Sequence, residues 1–151
     1  MFIKVSCILV LCILSYLDIK YYIVPNTIVL SFAVFLVSYS ISGSSEVVYF
    51  NYINVIFFGS LFGLISFLTH GLGMGDVKVL GLIAFVEDFL SVCLIGISAS
   101  LIGILILVTH NVVLNKKLKK IPFVPCLTVA FFATELLKVI FICKTNVGSP
   151  Y

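Results

Sequence analysis

Six stretches of almost uninterrupted apolar residues follow one another along this chain of 151 residues. A helix that crosses the hydrocarbon core of a bilayer needs about 20 predominantly apolar residues. Hydrophobic residues make up 62% of the chain and charged residues only 10%, whereas a soluble domain carries about 25% charged residues. The sequence therefore predicts an all-α polytopic membrane protein with about six transmembrane helices, at 2–17, 27–43, 53–69, 77–87, 89–112 and 122–143.

The joints between these segments are short and leave no room for a soluble module. We therefore expect a single transmembrane domain that comprises residues 1–151. The fourth segment, 77–87, is the shortest, and at roughly 1.5 Å per residue it covers only about half of a hydrocarbon core about 30 Å thick. It either extends through Glu87 and Asp88 or begins below the membrane surface.

Metal, cofactor and nucleotide sites are not indicated by this sequence. The five cysteines show no Cys-x-x-Cys spacing, and neither His70 nor His110 has a partner at metal-ligand spacing. We expect no metal, no cofactor and no disulfide framework. The stretch "GLGMGD" lacks the preceding strand and the glycine spacing of a phosphate-binding loop, and we expect no nucleic-acid partner.

Lysines and acids alternate between the joints and predict the orientation of the chain. Lysines follow the first, third and fifth segments, as Lys20, Lys78 and the run "NKKLKK" at 115–120, whereas the second and fourth joints carry only acids. Cytoplasmic loops hold the excess of lysine and arginine, so we expect both termini outside. The run at 115–120 contacts anionic lipid or, alternatively, a protein partner or substrate. Three lysines remain on the opposite side: Lys4, Lys138 and Lys144.

Two carboxylates stand at predicted cytoplasmic ends of spans, Asp18 after the first and Asp76 before the fourth. Two carboxylates a few ångströms apart cannot both ionise easily, so together they hold one proton. The ionised member can then activate water while the protonated member donates to an amide carbonyl. Taken singly, each acid has another interpretation: Asp18 pairs with Lys20 at the interface, and Asp76 interacts with a helix N-terminus.

The glycines of "GMGDVK" stand directly before Asp76. Gly73 and Gly75 have no Cβ, so a backbone or an extended peptide can approach closely and a positive φ is allowed. This pattern is consistent with a peptide lying against the predicted carboxylate pair.

Three motifs resemble those of the type IV prepilin peptidases, which are membrane aspartic proteases. "GMGDVK" resembles their G-x-G-D motif, and "DIKYYIVPN" resembles their first catalytic segment, with Asp18 and Pro25 seven residues apart. "KKIPFVPCLTVAFF" resembles the start of their last span, usually I-P-F-G-P-F, with Val124 in place of the glycine. The resemblance implies that Asp18 and Asp76 form the catalytic pair.

The same resemblance implies an activity, a location and a substrate class. We expect an aspartic endopeptidase of the bacterial cytoplasmic (inner) membrane, whose site faces the cytoplasm and cuts the short leader from prepilin-like or pseudopilin-like proteins. The residues beside the pair are expected to bind this substrate: Pro25, Gly73, Gly75 and Lys78. Longer members of the family carry a cysteine-rich insert and methylate the new terminus. This chain lacks the insert, so we expect the short, peptidase-only branch of pilus and secretion systems, without methyltransferase activity and with its oligomeric state open.

A small proton- or cation-coupled transporter is the alternative, with Asp18, Asp76 and Glu135 as ion sites. Transporter sites lie near mid-membrane, often in broken helices, whereas Asp18 and Asp76 lie toward one predicted face. Glu135 and Lys138 are three residues apart and so share one helix face. They form either a functional ion pair or a structural pair whose side chains reach the interface.

Overall fold

The computed structural model describes residues 2–42, 45–69, 73–113 and 122–147. These ranges form six α-helices and no strand, and each predicted apolar segment corresponds to one helix. The predicted all-α architecture is therefore confirmed. The helices are α1 (Phe2–Tyr21), α2 (Asn26–Ser42), α3 (Ser45–Thr69), α4 (Met74–Val86), α5 (Phe89–Val113) and α6 (Val124–Val147).

The end of α1 lies beyond the end of its apolar segment, at Tyr21. Asp18 is therefore in the last turn of the helix, and its carbonyl oxygen accepts a hydrogen bond from the Tyr22 N–H at 2.9 Å. Tyr22 adopts a φ of 53°, the left-handed conformation that commonly ends a helix. Hydropathy marks where the chain is apolar, whereas this backbone hydrogen bond decides where the helix stops.

One stripe of α1 is buried, and it carries an acid at its end. Cys7, Leu11 and Leu14 are at most 1% exposed and Asp18 is 6% exposed. Their spacing of three or four residues places them on the same helix face. This stripe directs Asp18 into the protein and leaves residues such as Leu9 at the outer surface.

The short α4 lies at the centre and contacts all five other helices. Val79, Ile83 and Ala84 are fully buried along it, which explains why its sequence is apolar on every side from Val79 onwards. The uncertain fourth segment is therefore a central helix. It does not extend through Glu87 and Asp88, because it ends at Val86 and Glu87 caps it in an extended conformation.

The outer surface of the bundle is rich in large apolar side chains. Ile41, Ile56 and Phe67 are all more than 70% exposed, which is unusual for a surface in contact with water. By length and composition, one helix among the described residues, Phe89–His110, can cross a membrane. Asn26–Ile41 and Tyr52–Leu68 are shorter apolar helices.

Four charged side chains form a closed cluster between α1, the end of α4 and α6. Lys4 Nζ lies 2.9 Å from Glu87 Oε1 and 2.9 Å from Glu135 Oε1. Lys138 Nζ pairs with Glu87 Oε2 and lies 3.1 Å from Glu135 Oε1. Each lysine contacts both carboxylates. Because two lysines face two glutamates, the cluster has no net formal charge.

This cluster explains two lysines that depart from the predicted charge asymmetry. Lys4 and Lys138 neutralise Glu87, which is 2% exposed, and Glu135 beside it. The predicted contact of Glu135 with Lys138 on one helix face is also present. An isolated buried carboxylate is strongly unfavourable, and the two lysines supply the opposite charge.

We expect Glu87→Gln to lower the free energy of unfolding by about 3 kcal/mol, because removing one partner of a buried ion pair leaves the others uncompensated. Glu135→Gln is the matched control. It should cost less, since the Glu135 side chain is 22% exposed. Denaturant titration in lipid-detergent micelles measures both, and equal losses would contradict the central place given to Glu87.

Candidate active site

The two predicted catalytic acids come together between the last turn of α1 and the first turn of α4. Asp18 and Asp76 are 58 positions apart in sequence, and both lie just outside the predicted apolar spans. Asp18 is buried and Asp76 is half-buried. The helices α1 and α4 pack against each other, and burial and, after it, the charge of Asp18 raise the pKa of Asp76. The two groups are thus neighbours in the folded chain.

Asp18 is held by the beginning of α6. Its Oδ2 accepts a hydrogen bond from the backbone N–H of Val124 at 3.2 Å, and Val124 is the first residue of that helix. The first N–H groups of a helix have no partner within the helix, and its N-terminus favours a negative charge. Val124 thus replaces the usual glycine of the third motif, but it is the backbone that contacts Asp18.

Asp76 is held by its own turn. It is the third residue of α4, and its carboxylate accepts a hydrogen bond from the backbone N–H of Gly73, the N-cap residue. This is the return half of a capping box. A Cβ added to Gly73 would lie 3.1 Å from Asp76 Oδ2, so a side chain there would crowd the carboxylate.

The environment separates the protonation behaviour of the two acids. Burial and, after it, the charge of Asp18 raise the pKa of Asp76 to about 6, although the hydrogen bond from the Gly73 N–H lowers it. Burial also raises the pKa of Asp18, but the Val124 N–H lowers it. The charge of one acid opposes ionisation of the other, so the pair retains one proton at pH values where isolated aspartates have lost theirs. The pair therefore contains both a base and an acid.

Gly75 makes room for the chain itself. A Cβ there would lie 2.9 Å from Val24 Cβ and 3.0 Å from Val24 Cγ2. Val24 belongs to the joint between α1 and α2, so the missing side chain lets α4 begin directly against that joint. No described glycine has a positive φ, and Gly73 has a φ of −67°. Substrate contact at Gly73 and Gly75 stays a prediction.

The other two predicted substrate-binding residues flank the same region. Lys78 Nζ donates a hydrogen bond to Asn26 Oδ1 at 2.7 Å, which ties α4 to the first residue of α2. Pro25 precedes that residue, and its carbonyl accepts the Val29 N–H at 3.4 Å. Pro25 and Lys78 therefore lie where the start of α2 meets α4, and their contact with a substrate stays a prediction.

Sequence reasoning missed the polar contacts that position Asp18. Besides Val124, a buried hydroxyl pair joins α1 to α6, in which Ser15 and Thr128 are hydrogen-bonded. Thr128 also donates to the Val124 carbonyl at 2.7 Å. Ser15 lies one turn before Asp18, which is a signal that helical spacing could have provided. A backbone donor such as the Val124 N–H leaves no signal of that kind.

The remaining residues singled out in the sequence are the histidines, the lysine run and the cysteines. His70 and the lysine run at 115–120 lie outside the described residues, whereas His110 lies in the last turn of α5. Among the residues that the structure describes, no group of three or more histidine, cysteine, aspartate or glutamate side chains could hold a metal ion. Cys126 is buried near both Asp18 and Asp76, whose charges act on it.

Comparison with known protein families places the chain beside one of them. A sequence model of the type IV leader peptidase family matches residues 5–108, a range that includes both Asp18 and Asp76. No curated protein and no solved structure matches the chain. The family that matches is the one whose motifs the sequence resembles, so that resemblance is confirmed.

We expect Gly75→Ala to destabilise the fold, because the new Cβ would meet Val24 at 2.9 Å and the helix or the joint must shift. Gly81→Ala is the matched control within α4, because a Cβ at Gly81 meets nothing within 4 Å. Alanine is favoured over glycine within a helix by about 1 kcal/mol, so the control should be stabilised. Denaturant titration measures both, and stabilisation of both variants would show that the Val24 contact is unimportant.

Proposed function

The chain belongs to the type IV leader peptidase family, and from that premise we propose that it is an aspartic endopeptidase with Asp18 and Asp76 as its catalytic pair. It removes the short N-terminal leader from prepilin-like or pseudopilin-like precursors. The feature that carries this proposal is the packing of α1 against α4, which brings the last turn with Asp18 and the first turn with Asp76 together. Burial and, after it, the charge of Asp18 raise the pKa of Asp76 to about 6. A pair that keeps one proton has the acid and the base that amide hydrolysis requires.

In this mechanism, ionised Asp18 takes a proton from a water molecule as its oxygen attacks the scissile carbonyl carbon. Asp76 gives its proton to the carbonyl oxygen, which produces a neutral tetrahedral intermediate. The proton on Asp18 then passes to the departing amine, the C–N bond breaks, and Asp76 recovers its proton from the intermediate. The Val124 N–H holds Asp18, and the Gly73 N–H holds Asp76, in position for these transfers.

The proposed location is the bacterial inner membrane, with six spans and the catalytic pair at the cytoplasmic side. The exposed apolar surface supports a location in the membrane, and the lysine pattern supports this orientation, which leaves both termini outside. The four-charge cluster supports it as well, since Lys4 lies about 20 Å from Asp18 along α1 at 1.5 Å per residue. Its two lysines are neutralised by acids at the outer end.

The proposal is restricted to peptidase activity. No interval between consecutive helices is longer than 114–123, so the chain has no room there for a methyltransferase insert. The transporter alternative has less support, because Glu135 does not join Asp18 and Asp76. It is paired with Lys4 and Lys138 at the far end of α1.

We expect Asp18→Asn and Asp76→Asn each to reduce cleavage by a factor of about 10²–10⁴, the usual contribution of general acid–base catalysis. Co-expression with a pilin precursor and immunoblotting of the uncut and cut forms measures this. Glu135→Gln should still process the precursor, because Glu135 lies in the four-charge cluster. Normal cleavage by either aspartate variant would overturn the assignment of the pair.

We expect kcat/KM to fall as the pH rises through about 6, because the pair then loses its proton. The raised pKa of Asp76 also means that the folded state binds this proton more tightly than the unfolded state. Its contribution to stability is therefore complete below the ordinary aspartate pKa and is lost as the pH rises through about 6. Peptide cleavage and denaturant titration across pH 4–8 test both trends, and a flat profile near pH 6 would contradict them.

A further inference from the structure

A chain of buried hydrogen bonds joins α1 to α6 one turn before Asp18. The Ser15 hydroxyl is hydrogen-bonded to the Thr128 hydroxyl, and Thr128 donates to the Val124 carbonyl oxygen at 2.7 Å. A hydroxyl group has a single proton to donate, so Ser15 is the donor to Thr128 in this arrangement. The chain therefore runs from α1 across to the first residue of α6.

The same residue of α6 also holds Asp18. The Val124 N–H donates to Asp18 Oδ2 at 3.2 Å, while the Val124 carbonyl accepts the Thr128 hydroxyl. The start of α6 is thus connected to α1 twice, once through the two hydroxyls and once through Asp18. Ser15 and Asp18 are three residues apart and share one helix face, so the two connections together fix how α1 lies against Val124.

The surroundings of the two hydroxyls make this connection specific. Ser15 is 9% exposed and Thr128 is 6% exposed. Their neighbours in sequence, Leu14 and Leu127, are fully buried. Apolar side chains tolerate a small axial shift between two helices, whereas a buried hydroxyl that loses its partner is unfavourable. The hydroxyl pair therefore favours one axial position of α6 along α1.

We propose that Ser15 and Thr128 are positioning residues, which place the start of α6 so that the Val124 N–H holds the Asp18 carboxylate in its catalytic orientation. This inference rests on the proposed function of Asp18 as a member of the catalytic pair. The two hydroxyls act on Asp18 through Val124. Val124 and Thr128 lie beyond residues 5–108, the range that matches the family, so the inference extends the site to a helix outside that range.

A contribution to stability alone is the competing explanation, and it predicts a different pattern of effects. Removing one hydroxyl leaves the other buried without its partner, whereas replacing both by apolar groups of similar shape is nearly neutral for stability. Double replacement therefore restores a pair whose role is only structural. It does not restore a positioning pair, because the start of α6 has lost its hydroxyl connection to α1.

Cleavage kinetics separate the two explanations. The substrate is a synthetic precursor peptide with a lysine-bearing leader, a glycine at the cleavage site and an apolar segment of leucine, valine and alanine. We expect Thr128→Val and the double variant Ser15→Ala/Thr128→Val to lower kcat by about tenfold to 100-fold and to leave KM unchanged, because a displacement of about 1 Å can cost that much in rate. Thr128→Ser keeps the hydroxyl and should retain the wild-type kcat.

Thr134→Val is the matched control on the same helix. Thr134 is also buried, and its hydroxyl also donates to a backbone carbonyl, that of Phe131, at 2.8 Å. It lies about 9 Å farther along α6 than Thr128 at 1.5 Å per residue, so its kcat should not change. A normal kcat in the double variant, or an equal loss in Thr134→Val, would overturn the positioning role and leave the peptidase function intact. Ser15→Ala alone replaces any variant that does not fold.

A second measurement does not depend on cleavage. The chain contains three aspartates, Asp18, Asp76 and Asp88. Protein labelled with carbon-13 at the aspartate carboxyl groups therefore gives three carboxyl signals in lipid-detergent micelles, and Asp18→Asn identifies the signal of Asp18. The Val124 N–H lowers the pKa of Asp18. Weakening this hydrogen bond in Thr128→Val should therefore raise the pH at which the Asp18 signal titrates.

The other titratable groups near Asp18 are the same in these variants. Among the described residues they are Asp76 of α4 and Cys126 of α6, and α2 contains no acid, lysine, histidine or cysteine. A shift therefore reports on the hydrogen bond from Val124. An unchanged Asp18 titration in Thr128→Val would overturn the inference. A shifted titration in a protein that does not cut the peptide would support the positioning of Asp18 and count against the proposed function alone.

Discussion

The cluster of Lys4, Glu87, Glu135 and Lys138 is the constraint on which the arrangement of the bundle depends. It ties together α1, the end of α4 and α6. Closer to the other side of the bundle, the same three helices carry Asp18, Asp76 and the Val124 N–H. Charges with few alternative partners in an apolar bundle fix the axial position of each helix more strictly than apolar contacts, which tolerate sliding.

Hydropathy and motif spacing predicted the six helices and the two acids, because both signals are local in the sequence. The contacts that hold the site could not be read in this way. The hydrogen bond to Asp18 comes from a backbone N–H 106 residues away, and a backbone donor does not identify itself by residue type. The pairing of Glu87 with Lys4 and Lys138 was equally hidden, because hydropathy treats these residues only as interruptions.

The glycines of the G-x-G-D motif make room for the chain itself, a role that the sequence did not indicate. Their lack of a Cβ suggested room for a substrate. In the structure, the space at Gly75 belongs to Val24 and the space at Gly73 belongs to the carboxylate of Asp76. Open space beside a glycine is found instead at Gly59, Gly63 and Gly81, where an added Cβ meets nothing within 4 Å, and these glycines belong to no motif.

The buried stripe of α1 makes the length of that helix a matter of discrete choices. Lys4, Cys7, Leu11, Leu14 and Asp18 follow intervals of three and four residues, and each residue turns a helix by about 100°. One inserted residue would point either the lysine or the aspartate toward the surroundings. Only gains or losses of about seven residues, two turns, keep both ends facing inward. The length of this helix is therefore set by the distance between the charge cluster and the carboxylate pair.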